Sequence, residues 1–133
     1  MRRVRGLILL LVGSATFAVG STSAPAATTK YPCVFNDGYL CYYYSPNEAG
    51  SSIGVYGRNN DLLNPAVKFA TSGAGQGQNV GNNSASACSN HGTANYNVYF
   101  GVNQTGFYNN LPPYVCRNFS PAMRNNDRSQ LLY

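Results

Sequence analysis

Charge is scarce in this chain. Only 10% of its residues are Asp, Glu, Lys or Arg, and it has one histidine. Arg2, Arg3 and Arg5 crowd into the first five positions. Beyond Ala26, six Lys and Arg face four Asp and Glu, which leaves a net charge of only about +2. That balance removes the electrostatic footprint that binding to nucleic acid or an anionic membrane surface requires. Helical periodicity is missing too, since no window repeats apolar residues at the spacing of a helix face. The motifs that carry chemistry are equally thin. There is no Cys-x-x-Cys and no Gly-rich loop followed by Lys-Ser or Lys-Thr. His91 has no partner at metal-ligand spacing, which disfavours zinc. A serine triad would need the lone His91 to meet both a nucleophile and an acid, and no pattern in the sequence brings the three together. Asp37, Glu48, Asp61 and Asp127 read as turn, cap or solvated charge. No enzyme, cofactor or metal is expected.

Residues 1–26 have the pattern of a secretory signal peptide. The arginines form a basic start, residues 6–20 are apolar, and Ala24-Pro25-Ala26 is a small-x-small cleavage site. The apolar run is too short to anchor comfortably in a membrane. Residues 27–133 then suit one exported domain. Cys33, Cys41, Cys88 and Cys116 are even in number, and disulfides are the default in an exported chain. Three pairings are possible and the sequence does not choose among them. Cys33–Cys41 with Cys88–Cys116 is favoured, because the first bridge closes a hairpin-sized loop around Asn36-Asp37-Gly38.

The remaining pattern is all-β. Val34-Phe35, the Asn36-Asp37-Gly38 turn and Tyr39–Tyr44 read as strand, turn and strand. Residues 53–56 and 96–100 read as further strands, with shorter candidates at 67–69 and 106–108. Residues 72–84 are Gly- and Asn-rich and read as loop. Leu111-Pro112-Pro113-Tyr114-Val115 is too proline-rich for a central strand. Residues 128–133 can close the last strand.

One phrase occurs twice. Residues 43–50 are Tyr-Tyr-Ser-Pro-Asn-Glu-Ala-Gly and residues 99–106 are Tyr-Phe-Gly-Val-Asn-Gln-Thr-Gly. A second pair follows: Asn82-Asn83-Ser84-Ala85-Ser86 and Asn125-Asn126-Asp127-Arg128-Ser129. Two copies of one supersecondary unit are expected. In each, Gly50 or Gly106 takes a positive φ in a folded-over hairpin. Tyr43 or Tyr99 packs beneath the bend, and Ser86 or Ser129 bonds the hairpin backbone. Two such Greek keys pack as a sandwich.

This arrangement resembles the βγ-crystallin signature, with Glu48 and Gln104 standing where that family usually has a second aromatic. The whole exported part, roughly residues 33–132, is similar to the secreted streptomycete metalloproteinase-inhibitor family. The shared features are a leader, an early Cys-x7-Cys, Cys-Tyr-Tyr-Tyr running into Asn-x-x-Gly, and late Asn-Asn-x-x-Ser segments. The resemblance implies a small βγ-crystallin-like domain that blocks secreted zinc endopeptidases of the thermolysin class.

An inhibitor needs a rigid, substrate-like loop rather than catalytic groups. Pro113, Tyr114 and Val115 are the candidate reactive loop, stiffened by two prolines and pinned by Cys116. An ordinary β-edge connection is the competing reading. Cys33-Val34-Phe35 is a second candidate beside a disulfide. The Asn-Asn-x-x-Ser pair also resembles the calcium motif of microbial βγ-crystallins, but Ala87 and Gln130 replace its last hydroxyl, and capping of the hairpins is the simpler role. The alternative function is an extracellular binding or toxin-like module, with some of the eleven tyrosines facing a glycan. The expected partner is a secreted protease, and the expected state is a monomer.

Overall fold

The structure is a computed structural model that describes Gly20 and residues 25–133. Nearly all of the expected signal peptide lies outside the described residues. Eight strands build two antiparallel sheets: β1 (Thr29–Lys30), β2 (Leu40–Ser45), β3 (Ala49–Val55), β4 (Ser86–Ser89), β5 (Tyr96–Tyr99), β6 (Tyr108–Leu111), β7 (Cys116–Asn118) and β8 (Ser129–Leu132). The first sheet runs β1-β3-β2-β4-β7 and the second β6-β5-β8. Among the described residues the only helical element is a 3-10 turn at Val102–Gln104. No helix there is long and apolar enough to cross a membrane.

Side chains alternate as a half-buried strand requires. Leu40 and Tyr42 face inward, in register with Val55 and Ile53, and Ala87 lies opposite Tyr42. From the other sheet come Tyr96, Val98 and Leu111. Leu62, Phe69, Val80 and Met123 fill the space between the layers from the connections. Each of these large side chains is almost fully buried, which stabilises by about 1.5–3 kcal/mol apiece before entropy is counted.

The two Greek keys exchange a strand. β7 follows β6 in the chain yet joins the first sheet beside β4. In return Asn59, from the first key, pairs with Gln130 of β8 in the second sheet, with Asn59 N–H donating to Gln130 O at 3.1 Å and the reverse bond at 2.9 Å.

Two expected strands do not form, and a third, expected at 106–108, starts only at Tyr108 and runs on to Leu111. Val34-Phe35 is not a strand, because the Asp37 carboxylate accepts the N–H of Val34 at 3.2 Å and of Tyr39 at 3.1 Å and curls the segment into a turn. Residues 67–69 contribute only a bridge between Lys68 and Asn79. Val67 and Phe69 are buried all the same, so their alternation reports packing rather than a ladder.

Candidate functional site

The doubled phrases form the same structure twice. Asn47 and Glu48 have φ of 57° and 57°, and Asn103 and Gln104 have 53° and 58°. Gly50 and Gly106 follow at 79° and 80°. The Ser86 hydroxyl donates to Ser45 O at 2.8 Å and accepts Glu48 N–H at 3.1 Å. The Ser129 hydroxyl donates to Gly101 O at 2.6 Å and accepts Gln104 N–H at 3.0 Å. Each serine is thus a clasp that satisfies one donor and one acceptor of a backbone too sharply bent to satisfy them itself. Tyr43 and Tyr99 sit in β2 and β5, each paired to the strand that carries the serine.

The Asn-Asn-x-x-Ser segments face each other across a local two-fold. Asn82 N–H donates to Asp127 O and Asn125 N–H to Ser84 O, both at 2.9 Å. Asp127 is fully buried. Its carboxylate accepts the Ser84 hydroxyl at 2.8 Å and Ser84 N–H at 3.3 Å. The same hydroxyl lies 3.0 Å from Val80 O. One hydroxyl proton cannot serve two acceptors. Protonating Asp127 resolves the conflict, since its O–H then donates to Ser84 Oγ and Ser84 donates to Val80. Burial pushes the Asp127 carboxyl up to about 7, opposed chiefly by the Ser84 hydroxyl bond. Burial, and then the charge of Asp127, also raises the Tyr42 phenol well above its ordinary value. The reading of Asp127 as a cap or solvated charge therefore needs correction. It is an interior acid, and a lone Asp between Asn and Arg gave no sign of it.

The cysteines pair as Cys33–Cys41 and Cys88–Cys116. Cys41, Cys88 and Cys116 lie side by side in register on the outer face of the first sheet. The Glu48 carboxylate comes within 4.8 Å of the Cys88 and Cys116 sulfurs. Those sulfurs are bonded to each other and are not thiolate ligands.

Three connections meet at the end of the first sheet away from the folded hairpins: Cys33–Tyr39, Ser89–Ala94 and Pro112–Val115. Pro113 and Tyr114 form a tight turn, with Val115 N–H donating to Pro112 O at 3.1 Å and Tyr114 at φ 58°. Such a turn favours Pro at its second position and glycine or asparagine at its third, so tyrosine there is strained. Contacts hold it in place. Its ring stacks on Phe35 with centroids 4.8 Å apart, its hydroxyl donates to the Asn36 side chain, and Gly92 leaves room for it, since a Cβ there would come within 2.7 Å of that hydroxyl. Val115 O accepts Ser89 N–H at 3.0 Å. The Cys33 loop is fixed from beneath, where Tyr96 donates to Gly38 O at 2.9 Å and Gly38 N–H bonds Asn90 O at 3.1 Å. Burial chiefly holds the Tyr96 phenol up at about 12, so it stays a donor. His91 accepts the N–H of Ala94 at 2.9 Å and of Thr93 at 3.3 Å, which makes it a loop cap.

The outcome is a braced ridge. Val34 and Phe35 protrude at its crest, 47% and 73% exposed, with Tyr114 beside them at 43%. Both segments are separate candidates in the sequence, and their contact is not legible there, because residues 35 and 114 meet only through the strand exchange that brings β7 to β4.

No protein-family model and no curated protein matches the chain. Among solved structures, one described as "Evolution of the eye lens beta-gamma-crystallin domain fold" superimposes with a TM-score of 0.62, covering 81% of this chain and 97% of that one at 11% sequence identity. At that identity the likeness concerns backbone architecture alone. Together with the paired hairpins, the serine clasps and the exchanged strands, it establishes that the chain has the βγ-crystallin domain fold.

Proposed function

We propose that the protein is a secreted, non-enzymatic peptidase inhibitor that presents the Cys33–Phe35 ridge to a thermolysin-like zinc endopeptidase. One observation carries this reading. Two disulfide-anchored segments from opposite ends of the domain converge, and the Phe35 ring stands out from the contact. A hydrophobic side chain held forward on a pre-ordered backbone loses little entropy when a protease pocket takes it up. The bridge at Cys33 and the Tyr114 stack keep the backbone around Phe35 from relaxing. Pro113, Tyr114 and Val115 act in this reading as the buttress, and Phe35 as the anchor that fills the pocket. The resemblance of its sequence motifs to those of streptomycete metalloproteinase inhibitors points to the same class of target.

Purified residues 27–133 titrated against a thermolysin-like endopeptidase should lower the rate in proportion to added protein. Phe35→Ala should weaken inhibition at least tenfold with the fold intact by circular dichroism. If a clear molar excess leaves the rate unchanged while the protein stays uncut, the reading is wrong for that class. A parallel series with serine endopeptidases tests its selectivity.

A further inference from the structure

The two keys match closely at their hairpins and differ in what covers them. In the first, the Gly-rich connection folds over Tyr44. Ser51 N–H bonds Ala74 O at 2.8 Å, and a Cβ at Gly75 would come within 2.2 Å of the Tyr44 ring. The matching residue of the second key is Phe100, which has no such cover and stands 44% exposed beside Phe107 at 45%, their rings 4.9 Å apart. The outer face of the second sheet is likewise open. By register, Tyr108 and Asn110 of β6, Asn97 and Tyr99 of β5, and Leu131 of β8 point outward together. Tyr133 continues the row through paired backbone bonds with Asn95.

That face is organised by amides. Asn97 is nearly buried and serves as a hub. Its Oδ1 accepts Asn110 Nδ2–H at 2.9 Å, while its own Nδ2–H donates to the Tyr99 hydroxyl at 3.2 Å. Asn110 also donates to the Tyr133 hydroxyl at 3.1 Å. Tyr99 and Tyr108 pack at 5.3 Å. Tyr108 and Tyr133 remain 52% and 58% exposed. From Phe69 to Cys116 the chain has no Asp, Glu, Lys or Arg, and β8 has none either. Solvated sheet faces and edges ordinarily carry charges that oppose association. An uncharged face of tyrosines fixed by amides lacks that protection and has the complementary chemistry for a neutral ligand.

We propose that the outer face of the second sheet binds an uncharged, β-linked polysaccharide. A pyranose ring whose hydroxyls are equatorial offers a flat C–H face that stacks on tyrosine and a rim of hydroxyls that bonds to amides and phenols. An extended β-linked chain repeats this face along a line, as Tyr108, Asn110 and Tyr133 are spread across the sheet. This surface is separate from the Cys33–Phe35 ridge, so the two readings stand or fall independently.

The test is retention of residues 27–133 on insoluble chitin and on cellulose, with calorimetric titration of their soluble oligosaccharides. Binding should persist at 1 M salt because no ion pairs are involved (about 3 Å of screening length remains there). Tyr108→Ala and Asn110→Ala, both at solvent-accessible positions, should each reduce affinity about tenfold or more and leave protease inhibition unchanged. Failure of both polymers and their oligosaccharides to bind overturns the proposal. So does binding that neither variant weakens. Light scattering supplies a further check: a dimer that Tyr108→Ala dissociates would assign the face to a second copy of the chain and overturn the glycan reading.

Discussion

Single side chains decide this fold at a few positions, and the two serine clasps are the clearest. Ser86 and Ser129 are both almost fully buried, so truncation leaves a bent hairpin with a donor and an acceptor that water reaches poorly. Ser86→Ala and Ser129→Ala should each cost about 1–3 kcal/mol, read from urea denaturation midpoints. A loss below a few tenths would show that the hairpins close without them. Asp127 makes a different prediction. Its carboxyl ionises near 3.9 in an unfolded chain and at about 7 when folded. Between those values the folded protein keeps a proton that the unfolded chain has released. Stability therefore falls as pH rises from about 4 to about 7 and levels off above, by an amount on the order of 4 kcal/mol. Asp127→Asn should remove that slope, so the difference between the two stability profiles isolates this group. Equal slopes would mean that the buried carboxyl ionises normally.

At the scale of elements, the Gly-rich connection acts as packing rather than as a spacer. Gly75 has φ +85° and lies against Tyr44, whereas Gly77 has φ +80° and open space around it. Gly77→Ala should cost about 1 kcal/mol from backbone strain alone. Gly75→Ala should cost clearly more and should make the loop a site of limited proteolysis. Equal midpoints for the two variants would mean that the loop does not rest on Tyr44. These elements were legible in the sequence to different depths. Repeated Tyr…Asn-x-x-Gly and Asn-Asn-x-x-Ser phrases located both hairpins and both serines, since a positive φ and an exposed backbone leave few residue choices. The strand order was not legible, because β7 and Asn59 pair with the opposite key and no local pattern encodes a partner so far along the chain. The turn at Val34-Phe35 was hidden for a related reason. Two β-prone residues carry a strand signal, and a side-chain carboxylate three residues later overrides it.

For the whole molecule, both disulfides lie on the face of the first sheet turned away from the second: Cys33–Cys41 ties a connection to β2, and Cys88–Cys116 joins β4 to β7. Loop-closure entropy puts Cys33–Cys41, separated by 8 positions, at about 2.5 kcal/mol and Cys88–Cys116, separated by 28, at about 3.6 kcal/mol. Double serine variants should lower the urea midpoint in that order and still fold, since the buried layer between the sheets is untouched. A variant unfolded at neutral pH and 25 °C would mean that the core is not self-sufficient. Loss of either bridge should also weaken the proposed protease inhibition more than it weakens the fold, because each one anchors a segment of the ridge. The strand exchange has a consequence in time. A chain delivered N-terminus first presents β2, β3 and β4 with the β4 edge bare until residues 116–118 arrive, and Asn59 waits for β8 at the far end. Neither half can finish before the other has emerged, and long-range pairings of this kind form slowly. Completion is therefore a late event, and a chain that crosses a membrane in extended form would still be pliable when its last residues reached the other side.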